Sequence, residues 1–444
     1  MTNRLSPPQS TTTKQKRLFT PAALSATESA GAKLEKIRLL LNQGQASTAQ
    51  QIIERILKAG QMRNSSPPFI AKIRCALALT LEMQGRYRES LEAIARYENV
   101  VDRAALDADA LACVRLHLGL AYNYTGDHPK AVAMLNIALR EATDNESDAQ
   151  IGNVYVALAR VYRSINEYSI ARDHAHNALA HFRNTGDWRG MAEAYFGLAL
   201  AHVFAGQWEA SLENLEQARD LIGDRPATYL LGKIHTNMAG ACWFLKRPQE
   251  GIAHLEKAID YYEHTEHKAN AMDGYNNLGK TLLLVGEWER AQFALEQALT
   301  LANEIDKRPA AVAAMLDSLG KLQLLRGNLA AAQALLERAV KTASEHGNKW
   351  YEGQALRTLS QCHLALNETE QALREARDAL VLGEKIGDRQ AICEAKLLLA
   401  EAHLQAGNLS GCTEELKSIT DETKDAPADL AIASNAQRLH GMMA

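Results

Sequence analysis

The side chains that could support catalysis or bind a metal are few and scattered in this sequence. His264 and His267 lie three residues apart, so one helical turn would bring them to the same face. A metal site needs at least a third protein ligand, and no further histidine or cysteine joins this pair. His174 and His181 also share a helix face, without a cysteine or carboxylate cluster to complete a site. We therefore interpret these histidines as surface residues and predict no metal.

Known catalytic motifs are absent from the sequence. It contains no HExxH zinc motif, no phosphate-binding P-loop, no GxGxxG that follows a strand, and no GxSxG nucleophile turn. Each of these motifs places a nucleophile, a base or a phosphate cradle at a fixed spacing, so their absence argues against the corresponding chemistry. We predict that the chain is not an enzyme and needs no cofactor.

The cysteines favour a reducing compartment. None of them forms a C-x-x-C pair, and in a chain of 444 residues scattered cysteines are typical of small buried core residues. The first 25 residues lack the apolar stretch of a secretory signal. We therefore expect a cytoplasmic protein. The cysteines are Cys75, Cys113, Cys242, Cys362, Cys393 and Cys412.

A set of polar residues recurs at intervals near 40, which favours binding rather than catalysis. Asparagine can both donate to and accept from the main chain of an extended peptide. Arginine and lysine can pair with acidic side chains or a terminal carboxylate. We predict that a protein or an extended peptide with acidic groups contacts these residues, and that nucleic acid and membrane do not. The residues are Asn123, Asn153, Arg160, Arg163, Lys233, Asn237, Trp243, Asn276, Asn277, Lys280, Lys321, Arg357 and Gln361.

These residues are positioned by a sequence repeat with a period of 40. The clearest copy comprises Leu118, Gly119, Tyr122, Gly126, Ala131, Leu135 and Ala138. The small residue that follows leucine falls at positions 119, 159, 199, 239, 279, 320, 360 and 400. With two weaker copies near Ile37 and Leu77, ten copies can be counted, which predicts a repeat architecture.

Each copy has the pattern of two helices joined by a tight turn. Glycines at 126, 206, 286, 327 and 407 stand where the first helix must end. Alanine, leucine and alanine at spacings of four and three then mark the buried stripe of the second helix. The small residue lets the two helices approach each other closely. Measured from it, the positions two and six before, and one and four after, point away from the second helix and hold most of the polar residues above.

This pattern resembles the tetratricopeptide repeat family over roughly residues 33–420. The usual period of that family is about 34 residues, and its closing proline is here mostly replaced by glycine turns such as Gly186-Asp187, Gly223-Asp224 and Gly387-Asp388. Long repeats of this kind are similar to those of Leu-Gly-Asn (LGN) type adaptors, bacterial signalling sensors and MalT-like transcription activators. The resemblance implies a groove, lined by first helices, that binds peptides.

The composition agrees with an all-α fold. Apolar residues make up 47% and aromatic residues 6%, with no apolar run long enough to span a membrane. The net charge of −4 gives no general attraction to nucleic acid. We predict a right-handed α-solenoid of about ten stacked repeats plus a C-terminal capping helix that opens near Asp425 and runs through Leu439. Residues 1–30 are predicted to be a disordered basic Ser/Thr/Pro tail, and residues 31–444 the solenoid.

Two functional hypotheses remain open at this point. The first is a non-catalytic scaffold that binds a protein or peptide in its groove. The alternative is the sensing arm of a bacterial signalling or transcription-regulatory protein, which the unfinished eleventh repeat favours. Both rest on stacking, because one helix pair cannot bury its apolar stripe alone.

Overall fold

The computed structural model describes residues 29–58, 65–305, 309–423 and 430–443. They divide into two compact bodies, the N-terminal body up to Gln150 and the C-terminal body from Ile151 onward. Every regular element in these residues is helical, which confirms the predicted all-α solenoid. None of their helices combines the length and the apolar character needed to cross a membrane. The predicted tail lies outside the described residues, except for Ser29 and Ala30, which begin the first helix.

The N-terminal body contains three helix pairs and a short insertion within its described residues. Its helices are α1 (Ala30–Asn42), α2 (Ala46–Lys58), α3 (Pro67–Met83), α4 (Tyr87–Ile94), α5 (Val100–Ala104), α6 (Ala108–Thr125) and α7 (His128–Asp144). The insertion is a 3-10 helix, Ala95–Glu98, followed by α5, and the repeat pattern did not predict it. Asn99 follows the 3-10 helix and caps the N-terminus of α5. Its side chain accepts a hydrogen bond of 3.0 Å from the Val101 N–H.

The C-terminal body alternates first and second helices and ends on a single helix. Its helices are α8 (Asp148–Ser164), α9 (Tyr168–Thr185), α10 (Trp188–Phe204), α11 (Trp208–Ile222), α12 (Thr228–Phe244), α13 (Pro248–Glu263), α14 (Lys268–Leu284), α15 (Trp288–Glu304), α16 (Pro309–Leu325), α17 (Leu329–Glu345), α18 (Lys349–Ala365), α19 (Thr369–Ile386), α20 (Arg389–Gln405), α21 (Leu409–Thr423) and α22 (Leu430–Met443). Helix α8 starts just before the boundary between the bodies. The pairs match the ten predicted repeats, and α22 takes the place of the capping helix; its predicted start, near Asp425, lies outside the described residues.

The small residue of the repeat sets the distance between the two helices of a pair. A Cβ atom added to Gly279 would lie 2.5 Å from Cγ of Leu295, and one added to Gly320 would lie 2.6 Å from Cγ of Leu336. Both leucines are fully buried and belong to the predicted stripe of the second helix. The predicted role of the small residue, close approach of the first helix to the second, is therefore confirmed.

The turn between the two helices requires a left-handed residue. Gly126 has a φ of 89° and Gly286 a φ of 80°, as expected for glycine after a helix end. Asn166 and Asn367 take the same place with φ of 66° and 62°, and Asn tolerates this conformation better than most residues. In the copy that contains Ala239 the position is occupied by Lys246, with φ of 58°.

Replacing Lys246 with glycine should stabilise the protein. A lysine in the left-handed region costs about 1–2 kcal/mol, which glycine does not incur, although glycine loses some of this advantage through its freer unfolded chain. We expect the free energy of unfolding to rise by about 0.5–1 kcal/mol, measured by urea titration. The control is Lys257→Gly, an exposed position inside α13, which should cost about 1 kcal/mol. A loss of stability on Lys246→Gly would show that the turn does not need this conformation.

First helices of successive repeats contact one another in the C-terminal body. Contacts of this kind join α14 to α16, α16 to α18, α18 to α20, and α20 to α22, whereas no comparable contact joins successive second helices among the described residues. Helix α22 continues the row, since Arg438 donates a hydrogen bond of 2.9 Å to Glu401 on α20 and Leu439 is buried. The first helices therefore form the inner row of this stretch.

Candidate functional site

The predicted binding residues differ in how far they are exposed. All of them lie on first helices. Asn123 belongs to the N-terminal body, and the others belong to the C-terminal body. Five are exposed: Asn153, Trp243, Asn277, Lys321 and Gln361. Seven are half-buried: Arg160, Arg163, Lys233, Asn237, Asn276, Lys280 and Arg357. A ligand on the first helices can therefore reach at least the five exposed residues.

Three cations on two of these helices form a basic cluster, Arg160 and Arg163 on α8 and Lys233 on α12. Between them lies α10, whose Phe196 ring faces the lysine. The ammonium of Lys233 sits 4.8 Å from the centre of the Phe196 ring and 5.4 Å from that of Tyr229. Such cation–π contacts hold an ammonium in place where water is partly excluded.

The surroundings of Lys233 disfavour its charged form. Burial, together with the positive charges of Arg160 and Arg163, lowers the pKa of Lys233 to about 8. Glu193 on α10 acts in the opposite direction. The two arginines and Glu193 therefore act on the Lys233 ammonium in opposite directions, and a bound anion would act in the same direction as Glu193.

A histidine that the sequence assigned to the surface lies beside this cluster. His267 is only 8% exposed, and its ring stacks on Tyr229 with the ring centres 4.1 Å apart. Burial lowers its pKa to about 4; Lys233 contributes to the lowering, and Glu266 opposes it. The surface interpretation is therefore wrong for His267, whereas His264 is exposed and its Nδ1 lies 2.6 Å from the Asp260 carbonyl oxygen. No group of three or more metal-ligating side chains occurs among the residues that the structure describes.

A second group of charges lies on α14, α16 and α18. Burial lowers the pKa of Lys280, and Lys321 lowers it further, while Asp317 raises it. Asp317 is buried, and one of its carboxylate oxygens accepts a hydrogen bond of 2.6 Å from Gln354. The two lysines occupy the same place in successive repeats, directly after Gly279 and Gly320. They offer a further pair of positive charges on the inner row.

Several predicted residues already have partners within the fold. Asn123 is 5% exposed and its Oδ1 accepts a hydrogen bond from His128 at 3.2 Å, so its side chain is already engaged inside the N-terminal body. The Asn237 amide donates to the Lys233 carbonyl oxygen at 2.8 Å. Arg357 forms an ion pair of 3.0 Å with Glu394.

The sequence prediction missed the residues that hold Lys233 in place. Phe196 lies three residues before the small residue of its repeat, Ala199, and Glu193 lies six before it. The sequence rule includes the second of these places, but it assigns a binding role there only to cations and amides. Two aromatic residues could have indicated the site from the sequence: Phe196, three residues before Ala199, and Tyr229 in the first turn of α12.

Replacing Lys233 with methionine should stabilise the free protein. The pKa of Lys233 is about 8 in the fold, against 10.5 for an ordinary lysine, so folding disfavours the ammonium. Below pH 8 this cost is present in full. Between pH 8 and about 10.5 the unfolded chain holds more protons than the fold, so wild-type stability rises with pH and the cost disappears. We expect Lys233→Met to gain about 1 kcal/mol at pH 7 and little at pH 10, measured by urea titration at both pH values.

The control for this variant is Lys257→Met, at an exposed lysine of α13. It should change stability by less than about 0.5 kcal/mol at either pH. Equal behaviour of the two variants would mean that Lys233 is not destabilised by its surroundings.

Family comparisons agree with the repeat geometry. Models of the tetratricopeptide repeat match residues 34–99 and 150–222, and the model of the MalT-like tetratricopeptide region matches residues 232–440. The chain belongs to the tetratricopeptide repeat family. No curated protein matches its sequence.

Two solved structures show the same tetratricopeptide fold at low sequence identity. The apo form of the quorum sensor NprR from B. thuringiensis has a TM-score of 0.55 and 17% identity, and the match covers 79% of this chain and 98% of that one. A Rap protein complexed with competence and sporulation factor has a TM-score of 0.52 and 14% identity, with 81% and 98% covered. The tetratricopeptide chain therefore shares the fold of these proteins.

Proposed function

We propose that the chain is a non-catalytic scaffold that binds an extended acidic peptide, or an acidic segment of a protein, on the first helices of its C-terminal body. The observation that carries this proposal is the basic cluster of Arg160, Arg163 and Lys233. Its lysine is held over two aromatic rings and is destabilised by its neighbours. A carboxylate of the ligand would remove this repulsion and gain charge-assisted hydrogen bonds.

The surrounding side chains suit a peptide better than a small anion. Asn153 and Asn277 are exposed on first helices and can pair with the N–H and C=O groups of an extended main chain. Lys280 and Lys321 supply positive charge several helices further along the same body. A ligand with carboxylates at two separated places would contact both groups of cations, which a single small anion cannot do.

The structural neighbours support a peptide ligand. The Rap protein was solved with competence and sporulation factor bound to it, and NprR is a quorum sensor. At 17% and 14% identity, NprR and the Rap protein share only the fold with this chain. That this chain also binds a peptide is therefore part of the proposal. The charge of the ligand is argued from the cations of this chain alone.

The experiment uses peptides of random sequence sorted by net charge. An array of 12-residue peptides, from strongly acidic to strongly basic, is probed with labelled protein, and selected peptides are measured by fluorescence anisotropy. We expect the bound peptides to be acidic and their affinity to fall as salt rises. Selection of neutral or basic peptides would contradict the acidic ligand, and the absence of any selected peptide would contradict the peptide scaffold.

The second candidate function is a sensing arm whose peptide controls another part of a regulatory protein. The observations that favour it are the MalT-like region over residues 232–440 and the fold shared with a quorum sensor. Hydrogen exchange with and without a selected peptide separates the two functions. A sensing arm should change protection in α20 and α22, which carry neither group of cations, whereas a passive scaffold should change only the helices that touch the peptide.

A further inference from the structure

The N-terminal body brings two cysteines together from neighbouring first helices. Cys75 lies on α3 and Cys113 on α6, and both pack in one core cluster. One turn earlier on the same two helices, Lys72 forms an ion pair with Asp109. Because residues three or four apart share a helix face, this ion pair sets the register in which the two cysteines face each other.

The two sulfur atoms have unequal surroundings. Cys75 is 1% exposed, whereas Cys113 is half-buried. The Cys113 sulfur interacts by hydrogen bonding with the Cys75 thiol and with His117, which lies one turn further along α6. These interactions lower the pKa of Cys113 against the effect of burial, whereas burial raises the pKa of Cys75. The sulfur that is more readily deprotonated therefore belongs to the residue with the larger exposed fraction, and the thiolate is the form that attacks an oxidant.

The cysteines of the C-terminal body have different surroundings and provide a matched control. Cys393 and Cys412 share one core cluster, as Cys75 and Cys113 do. Burial alone shifts the pKa of Cys412, and it shifts it upward. A thiol in this state is a poor nucleophile toward an oxidant. Cys412 thus shows how a cysteine behaves in such a cluster when burial alone acts on its pKa.

We propose that Cys75 and Cys113 form a redox-active pair that a hydroperoxide converts into an intramolecular disulfide. The Cys113 thiolate attacks one peroxide oxygen, the O–O bond breaks, and the leaving hydroxide or alkoxide takes up a proton. Cys113 is then a sulfenic acid. The Cys75 sulfur attacks the Cys113 sulfur, the S–S bond forms and water leaves. In total the two thiols lose two electrons and two protons. Hydrogen peroxide is reduced to two molecules of water, and an organic hydroperoxide to one alcohol and one water.

The product is a covalent link between the first helices of two successive repeats. The link joins α3 to α6 across the 3-10 helix and α5, the one irregular insertion in the described N-terminal body. The cysteine pair belongs to the N-terminal body and the basic cluster to the C-terminal body, so the proposal does not depend on peptide binding. Reduction by a dithiol reagent should restore both cysteines by exchange.

The test treats the full-length protein with hydrogen peroxide, blocks the remaining thiols by alkylation, and maps the products by mass spectrometry without reduction. We expect the number of free thiols to fall by two from six, with a linked pair of peptides that contain Cys75 and Cys113. A reducing agent should separate that pair. In Cys75→Ser, a sulfenic acid on Cys113 should be trapped by dimedone, and in Cys113→Ala no link should form.

Two results would overturn the proposal. One is wild-type protein in which Cys75 and Cys113 remain free to alkylate under conditions that oxidise a small thiol such as glutathione. The other is a link between Cys393 and Cys412 at the same rate as between Cys75 and Cys113, because the pairing would then owe nothing to the surroundings of Cys113. Both readings use the unaltered protein, so they hold even where a variant fails to fold.

Discussion

Replacing Phe182 with alanine is expected to lower the free energy of unfolding by about 3–5 kcal/mol, the cost of a large cavity in a well-packed core. Phe182 is fully buried in the last turns of α9. Its ring fills a space that two glycines leave open. A Cβ atom on Gly152 of α8 would lie 2.7 Å from the ring, and one on Gly190 of α10 would lie closer still. One side chain therefore packs against both its own repeat and the next.

The effect of Phe182→Ala is measured by urea titration followed by tryptophan fluorescence and circular dichroism. The matched control is Phe293→Ala on α15, where the same substitution removes a ring that is 59% exposed. The control should change stability by less than about 0.5 kcal/mol. Similar losses in the two variants would contradict the packing described for α8, α9 and α10.

Reversing two charges of the basic cluster is expected to weaken binding of an acidic peptide by about 100-fold, or about 2.7 kcal/mol. Arg160→Glu and Arg163→Glu, combined, place two carboxylates beside Lys233. These carboxylates would compete with the ligand for the lysine and repel its acidic groups. Affinity is measured by fluorescence anisotropy with a peptide selected from the array, at low and high salt.

The matched control for the charge reversal is Arg338→Glu with Lys341→Glu. These residues have the same spacing of three and are exposed on α17, a second helix. The net charge changes equally, so any general electrostatic effect is common to both variants. We expect the control to change affinity by less than threefold. Equal losses in both variants would mean that the ligand responds to overall charge rather than to the basic cluster, and thermal unfolding of each variant verifies that it is folded.

The fold was largely predictable because each structural role in the repeat accepts only a few residue types. Glycine after the first helix, as at Gly286, and a small residue against a leucine, as at Gly279 and Leu295, leave a signal that survives in a single sequence. The insertion at Ala95–Glu98 and α5 was not predicted, because it occurs once and has no period. The contact of Phe182 with two glycines was also missed, since it depends on space between helices rather than on the pattern within one.

The candidate site was predicted only in outline. The places that face away from the second helix located Lys233 and Arg160 correctly on first helices. The same rule did not show that Asn123 is buried, because its hydrogen bond with His128 depends on a neighbouring helix of the N-terminal body. It also gave no information on Phe196, whose ring fixes the ammonium of Lys233. Which side chains become partners depends on neighbours some 40 residues away, and a pattern of residue types does not contain that information.

The central claim, that an acidic peptide binds over Lys233, is tested most directly by following the titration of Lys233 itself. Carbon-13 methyl groups attached to the lysine amines are observed by NMR, with the Lys233→Met variant used to assign the signal. In the free protein the midpoint should lie near pH 8, the pKa that burial and the two arginines give Lys233. A saturating acidic peptide should raise it toward 10, because a carboxylate at the ammonium favours its charged form, while the signal of Lys341 stays unchanged. A midpoint for Lys233 that does not move when the peptide is bound would contradict the account.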